Sequence, residues 1–412
     1  MKNSLLALAL LAFVNITMAS DYYWVGGAGN WSDYENHWAT SSGGTTFYTS
    51  PPTSADNVFF DQNSFTEDDN TVNMDVDAFC QNMDWSSVSG SSKVTGSGYF
   101  QIYGDLTLDK NTSFGNFYGN FRFHSDESST IDTDANRTFR SSTSYCKLMF
   151  VGDGPYVLAD SLRSGSVYAY SNAEIDFNGQ YVDIYYFNIP SDFNGHVDFT
   201  DAKFTTDYFY TQKPSASAFM FSNTTLTINA RLNTTSDVEN FDEVTFSNSE
   251  VQIVANSGAQ INFSSLNLDL GTDMVITSGV TVTFSQISAE GTANDPVLLS
   301  SSKEGEVATL LSESGTHHFD YMIIEDVVAS GGASFVANNS EVNAASAGWS
   351  ITAPPVLDFY WVGGGGDWLE YETHWATASG GSTFHTRPPS RYDNVIFDGN
   401  STSGNSIVYL YN

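Results

Sequence analysis

What most limits the fold of this chain is a long succession of short runs that are apolar at every second residue and end in Gly, Asn, Asp or Ser. Tyr99-Phe100-Gln101-Ile102-Tyr103, Phe121-Arg122-Phe123, Tyr181-Val182-Asp183-Ile184-Tyr185, Thr225-Leu226-Thr227-Ile228 and Val280-Thr281-Val282-Thr283-Phe284 are examples. A period of two belongs to strands, because successive side chains leave a strand on opposite faces. No stretch repeats its apolar positions every 3.6 residues between capping signals, so the crossover helices of a βαβ fold are not expected. The fold class is all-β, and two arrangements fit: a right-handed parallel β-helix, or a pair of β-sandwiches. Asp242 to Ile253 favours the first, since strand, one polar corner and next strand is how a solenoid turns. Asn and Ser suit such corners, where their side chains satisfy local backbone groups and Asn tolerates left-handed conformations.

A second feature sets the organisation. Tyr23 to Asp61 aligns without a gap on Tyr360 to Asp398, 337 residues later, with 26 of 39 positions identical. Both copies then run into a β-rich stretch, Thr71-Val72-Asn73-Met74 and Ile407-Val408-Tyr409-Leu410. The expected organisation is a signal peptide over 1–20, a capping block over 21–61 and a β-helix body over 62–350. A linker over 351–358 and the start of a second, truncated unit over 359–412 follow. The 289 residues of the body, at roughly 22 per coil and about 4.8 Å per coil, make about thirteen coils and a rod of roughly 60 Å. A solenoid must close its open ends. Trp24, Trp31 and Trp38, matched by Trp361, Trp368 and Trp375, are the expected aromatic plug at the start of each unit, and Trp349 closes the last coil.

The opening Tyr-Trp-Val-Gly-Gly-x-Gly-x-Trp, with His-Trp-Ala-Thr, Ser-Gly-Gly, Pro-Pro and Asp-Asn-Val, resembles the start of a repeated unit in large secreted and surface proteins of Bacteroidota. Ala289-Glu290-Gly291-Thr292, Pro296 to Leu299, Tyr321 to Val327 and Gly348-Trp349 are similar to the end of that unit. The resemblance implies a parallel β-helix, and full-length proteins that carry adhesive modules and a C-terminal signal for type IX secretion. No such sorting domain is recognisable here, in keeping with a truncated second unit. The resemblance implies no catalytic residues.

Composition narrows the partners. With 14 Lys and Arg against 48 Asp and Glu, the formal net charge is −34, and such a surface repels nucleic acid and anionic headgroups. Lys2, the apolar run Leu5 to Val14 and the small residues around Ala19 fit a cleaved leader, hence a secreted or cell-surface protein. That run is too short to span a bilayer, so no membrane insertion is expected. Cys80 and Cys146, the only cysteines, are expected free and buried, about three coils apart and out of bridging range.

Motifs of chemistry are weak. Paired acids such as Asp68–Asp69, Asp132–Asp134, Asp198–Asp201 and Glu325–Asp326 are abundant enough to be solvated turns. They leave open a polysaccharide hydrolase or lyase with two carboxylates on the β-helix flank. No catalytic residue is assigned, and a non-enzymatic role is favoured. Asp132, Asp134 and Asn136 supply alternating oxygens that suit calcium, the one cofactor considered. His317 and His318 are adjacent, which on a strand sends them to opposite faces. The densest aromatic region, with Tyr168, Tyr170, Tyr185, Tyr208 and Tyr210 expected to point outward, is the candidate face for a glycan or a surface protein.

Overall fold

The computed structural model describes residues 19–65, 70–135, 146–212 and 218–410. Residues 1–18 of the expected leader, Asn136 and the Asp68–Asp69 pair lie outside these described residues. Strand accounts for 48% of the chain and helix for 2%, so the fold is all-β.

Strands pair in parallel with the strand one coil further on. Val182 lies opposite Phe204, Phe204 opposite Leu226, and Val244 opposite Leu266, each 22 residues along. About 12 turns stack in this way, which at roughly 4.8 Å per turn gives a stack of about 58 Å. Among the described residues, antiparallel strand pairs occur only where Trp38–Ala39 meets Asp21–Trp24 and where Trp375–Ala376 meets Asp358–Trp361. The alternative of packed sandwiches is thereby excluded, since those require antiparallel hairpins throughout. The segment read as strand, corner, strand is strand Val238–Phe246, corner 247–249 and strand Glu250–Val254.

Early coils have three sides. One sheet runs Asp21–Trp24, Asn57–Phe59, Met83–Asp84, Leu106–Thr107 and onward to Phe219–Met220. A second joins Gly29–Asn30, Thr71–Met74, Ser92–Gly96 and Thr112–Phe117. A third begins at Ala78–Cys80 and passes through Phe100–Ile102, Phe121–Phe123 and Lys147–Phe150. From Leu162–Ala169 onward the strands lengthen to eight to ten residues and turn a corner within themselves. Inward residues of all sides form one continuous core from Tyr22 to Ala337.

Corners are built from the residues their geometry requires. Asn178, Asn223 and Asn339 hold φ of 49°, 52° and 48°, the left-handed region that Asn tolerates better than most residues. Aspartates accept the N–H two residues on: Asp84 from Ser86, Asp109 from Asn111, Asp176 from Asn178, Asp198 from Thr200. Much of the acidic composition is therefore turn chemistry repeated coil by coil.

Cys80 and Cys146 are buried and unbridged. The ladder Cys80, Ile102, Phe123, Phe150 places Cys146 three coils from Cys80, about 14 Å along the stack.

In the first block Trp24, Trp31 and Trp38 are buried and packed edge to face, Trp24 on Trp38 at 5.1 Å and Trp31 on Trp38 at 4.8 Å. Trp24 Nε1 donates to Gly27 O, and Trp38 Nε1 to Trp31 O. Residue 29 has to be Gly, because a Cβ there would stand 2.1 Å from His37 Nε2. The second block repeats the ring contacts and the close glycine: Trp361 on Trp375 at 4.9 Å, Trp368 on Trp375 at 4.7 Å, and a Gly366 Cβ 2.1 Å from His374 Nε2. Its Phe359, Trp361 and Trp375 form a small core of their own, against which the half-buried Trp368 packs. Half-buried Trp349 lies in the strand Trp349–Ile351, packs on Phe319 and Phe335, and donates Nε1 to Val327 O.

Candidate functional site

Parallel register turns an alternating sequence into rows that run along the stack. Val167, Phe187, Phe209 and Leu232 occupy successive coils and are fully buried. Their neighbours on either side must therefore face outward. One outward row reads Lys147, Ser166, Tyr186, Tyr208, Arg231, Gln252. The next reads Arg122, Met149, Tyr168, Asn188, Tyr210, Asn233.

The tyrosine rings of the two rows touch. Tyr186 lies 4.8 Å from Tyr210 and 6.4 Å from Tyr208, Tyr168 lies 5.7 Å from Tyr186, and Tyr208 lies 6.2 Å from Tyr210. Tyr170, just past its strand, stacks on Tyr168 at 6.0 Å and 9°. Tyr185 sits at the bend of its strand, 41% exposed, with its ring 5.2 Å from Tyr208. All five tyrosines expected on this face are thus brought together in one patch. Burial raises the phenols of Tyr168, Tyr170 and Tyr186 above the ordinary tyrosine value, so they are neutral hydroxyls at physiological pH.

Tyr186 is the residue that strict alternation misses. Counted from Tyr181, odd positions point outward and Tyr186 should point in, but the pairing skips Tyr185 and Asp207 at the bend. The phase slips there by one residue, and Tyr186 joins the outward row. The sequence signal is the consecutive pair Tyr185-Tyr186 between buried Ile184 and Phe187.

Cations flank the tyrosines. Lys147 Nζ lies 5.1 Å from the Tyr168 ring centroid, and Arg231 stands in register with Tyr208 and donates Nη2 to Gln252 Oε1 at 2.6 Å. Arg122 covers the Tyr99 ring at 4.1 Å. Ion pairs among the described residues involve Lys303, His374, Arg387 and Arg391, and none involves these three. The face thus offers flat ring surfaces, phenol hydroxyls and positive charge on an otherwise acidic chain, a combination suited to stacking on sugar rings and binding their oxygens.

Of the residues expected to suit calcium, Asp132 and Asp134 accept backbone N–H groups of their own and the neighbouring corner. Asp132 accepts the N–H of Asp134 at 3.0 Å, and Asp134 accepts that of Lys110 at 3.2 Å. The adjacent Asp160 accepts from Thr133 and Ala135. Among the described residues no group of three or more His, Cys, Asp or Glu is placed to hold a metal ion. His317 points inward, its Nε2 2.9 Å from Ser312 Oγ, while His318 is exposed, as adjacency on a strand requires. A depression of about 420 Å³ beside them is lined by Ser285, Gln286, Ile287 and residues 314–318, without a carboxylate.

A buried acid that no sequence pattern marked is Glu239, 4% exposed. Burial raises its carboxyl to about 7, an effect eased by the nearby Ser236 and Thr234 hydroxyls. Only Thr234 makes a hydrogen bond of ordinary geometry, at 3.1 Å to Oε2, and Ser236 Oγ is left without a partner.

Fold and face together define a parallel β-solenoid with an aromatic patch on one flank. Comparison with family models, curated proteins and solved structures finds no match to this chain.

Proposed function

We propose that this chain is a secreted or surface-displayed stalk module that uses its tyrosine face for weak, repeated contacts with glycans, in the manner of an adhesin. The observation that carries the reading is the in-register patch of Tyr168, Tyr186, Tyr208 and Tyr210, with Lys147 and Arg231 at its ends. Each ring adds a small stacking contribution, and a stiff stack fixes their spacing, so contacts along an extended glycan add through multivalency. The leader-like N-terminus and the resemblance to Bacteroidota surface repeats support export. The tryptophan block fits the reading as a lid that protects the first coil from strand addition.

The test is a glycan array on the full chain, with Tyr208→Ala and Tyr186→Ala variants. Either variant should weaken binding at least about tenfold, the loss of one aromatic anchor. Glycan binding unchanged in both variants would contradict the assignment of this face.

A further inference from the structure

Charge, as well as aromatic content, sets the two tyrosine rows apart from the rest of the surface. One row runs from Phe79 through Gln101, Arg122, Met149 and Tyr168 to Val254. The other runs from Lys147 through Ser166, Tyr186 and Tyr208 to Ser300. The chain holds 48 Asp and Glu against 14 Lys and Arg, yet neither row contains an acid over that span, and together they carry Arg122, Lys147 and Arg231. Other outward rows are acidic, with Asp176 directly beside Asp198 and Glu250 beside Asp273. A strip that keeps cations and admits no carboxylate is complementary to negative charge.

The cations are free to meet a ligand. Among the described residues neither Arg122 nor Lys147 donates a side-chain hydrogen bond or joins an ion pair, and the buried Nε of Arg122 has no acceptor. Arg231 donates to a neutral amide, Gln252, which is itself tied to Glu250 Oε1 at 3.0 Å. Acids bound the strip at its margins: Asp192 near Tyr170, Glu250 beyond Gln252, and Asp207 at the bend, where it accepts from Asn229 Nδ2 at 3.0 Å. Arg231 stands four coils from Lys147 and five from Arg122, about 19 and 24 Å along the stack. Between them lie the tyrosine rings. Tyr186 Oη accepts from Asn188 Nδ2 at 3.1 Å, which leaves its own proton to donate.

We infer that this face takes an acidic glycan in which charged sugars alternate with neutral ones. Its anionic groups would meet Arg122 and Lys147 at one end and Arg231 at the other, with neutral rings over the tyrosines between. The inference rests on the glycan reading of the face and adds the charge of the ligand. The net charge of −34 opposes any anion at a distance, but physiological salt screens charges beyond about 8 Å, so the groups in contact decide. A single-stranded nucleic acid carries a phosphate at every nucleotide, which three widely spaced cations leave mostly unmatched.

The experiment titrates the full chain with hyaluronan and chondroitin octasaccharides, and with the same chains after methyl esterification of their carboxylates, and reads the heat of binding. The acid forms should bind more tightly than the esters. Arg122→Gln and Lys147→Gln should each weaken the acid form about threefold and together about tenfold, leaving the ester unchanged. Tyr208→Ala should weaken both forms, and circular dichroism checks that every variant keeps the parent fold. Raising NaCl from about 50 to about 500 mM should weaken the acid form alone. Esters that bind as tightly as the acids, or acid binding unmoved in the double variant, overturn the inference. If such binding is still lost in Tyr208→Ala, the glycan reading stands without it. Absence of saturation by the acid forms up to about 1 mM, or tighter binding of an oligothymidylate than of either octasaccharide, also overturns it.

Discussion

Burying a carboxyl with one hydroxyl partner favours its protonated form, and at Glu239 that preference couples folding to pH. The group is held near 7 in the fold and near 4.5 when unfolded, so below about 4.5 it is protonated in both states and costs nothing. As pH rises from there through 7 the unfolded chain ionises first, and stability is lost, by about 3 kcal/mol at most. Glu239→Gln should remove this loss: urea unfolding of the variant and the parent should agree at pH 4 and diverge by pH 8, with the variant more stable. A constant difference across that range would show that Glu239 ionises freely in the fold. Neither Glu239 nor Tyr186 was legible as a special residue in the sequence, for related reasons. Glu239 lies in Val238–Phe246, whose apolar residues Val238, Phe241 and Val244 stand three apart, so no period of two assigns Glu239 to a face. Tyr186 depends on a bend inside a strand, which a period of two cannot register.

At the scale of strands the sequence was far more transparent. Alternation, polar corners and the absence of helical periodicity pointed to parallel coils, and the ladder at 22-residue steps follows the expected repeat. What the pattern could not display was the merging of two sides into single strands after Leu162, since a bend leaves no break in composition. Within these long strands the phenylalanines of adjacent coils pack as a column: Phe209 lies 4.9 Å from Phe187 and 5.8 Å from Phe241. Phe209→Ala should cost about 3–5 kcal/mol. Because each coil contacts chiefly its neighbours, the damage should be local. Hydrogen exchange should accelerate in Tyr181–Ile189, Lys203–Thr211 and Thr225–Thr234 and stay unchanged around Trp24 and Trp38. Uniform acceleration across the chain would argue for a cooperative unit larger than nearest-neighbour coils.

Taken whole, the molecule is a stack in which rows of side chains are written by register, and its tyrosine patch is a consequence of that stacking. The count of coils was legible to within about one, because repeat length and strand spacing are nearly constant. The face was legible as a region and its rows were not, since rows need the register. The stacking itself is measured most directly by spin-label distances along one outward row. Lys203, Thr225, Glu243, Ser265 and Gln286 follow one another coil by coil. Labels at Lys203 paired in turn with Glu243, Ser265 and Gln286 should give backbone separations rising by about 4.8 Å per coil, to roughly 19 Å at Gln286. Separations that alternate or stop rising with coil number would contradict the parallel stack, and with it the tyrosine rows and the display role built on them.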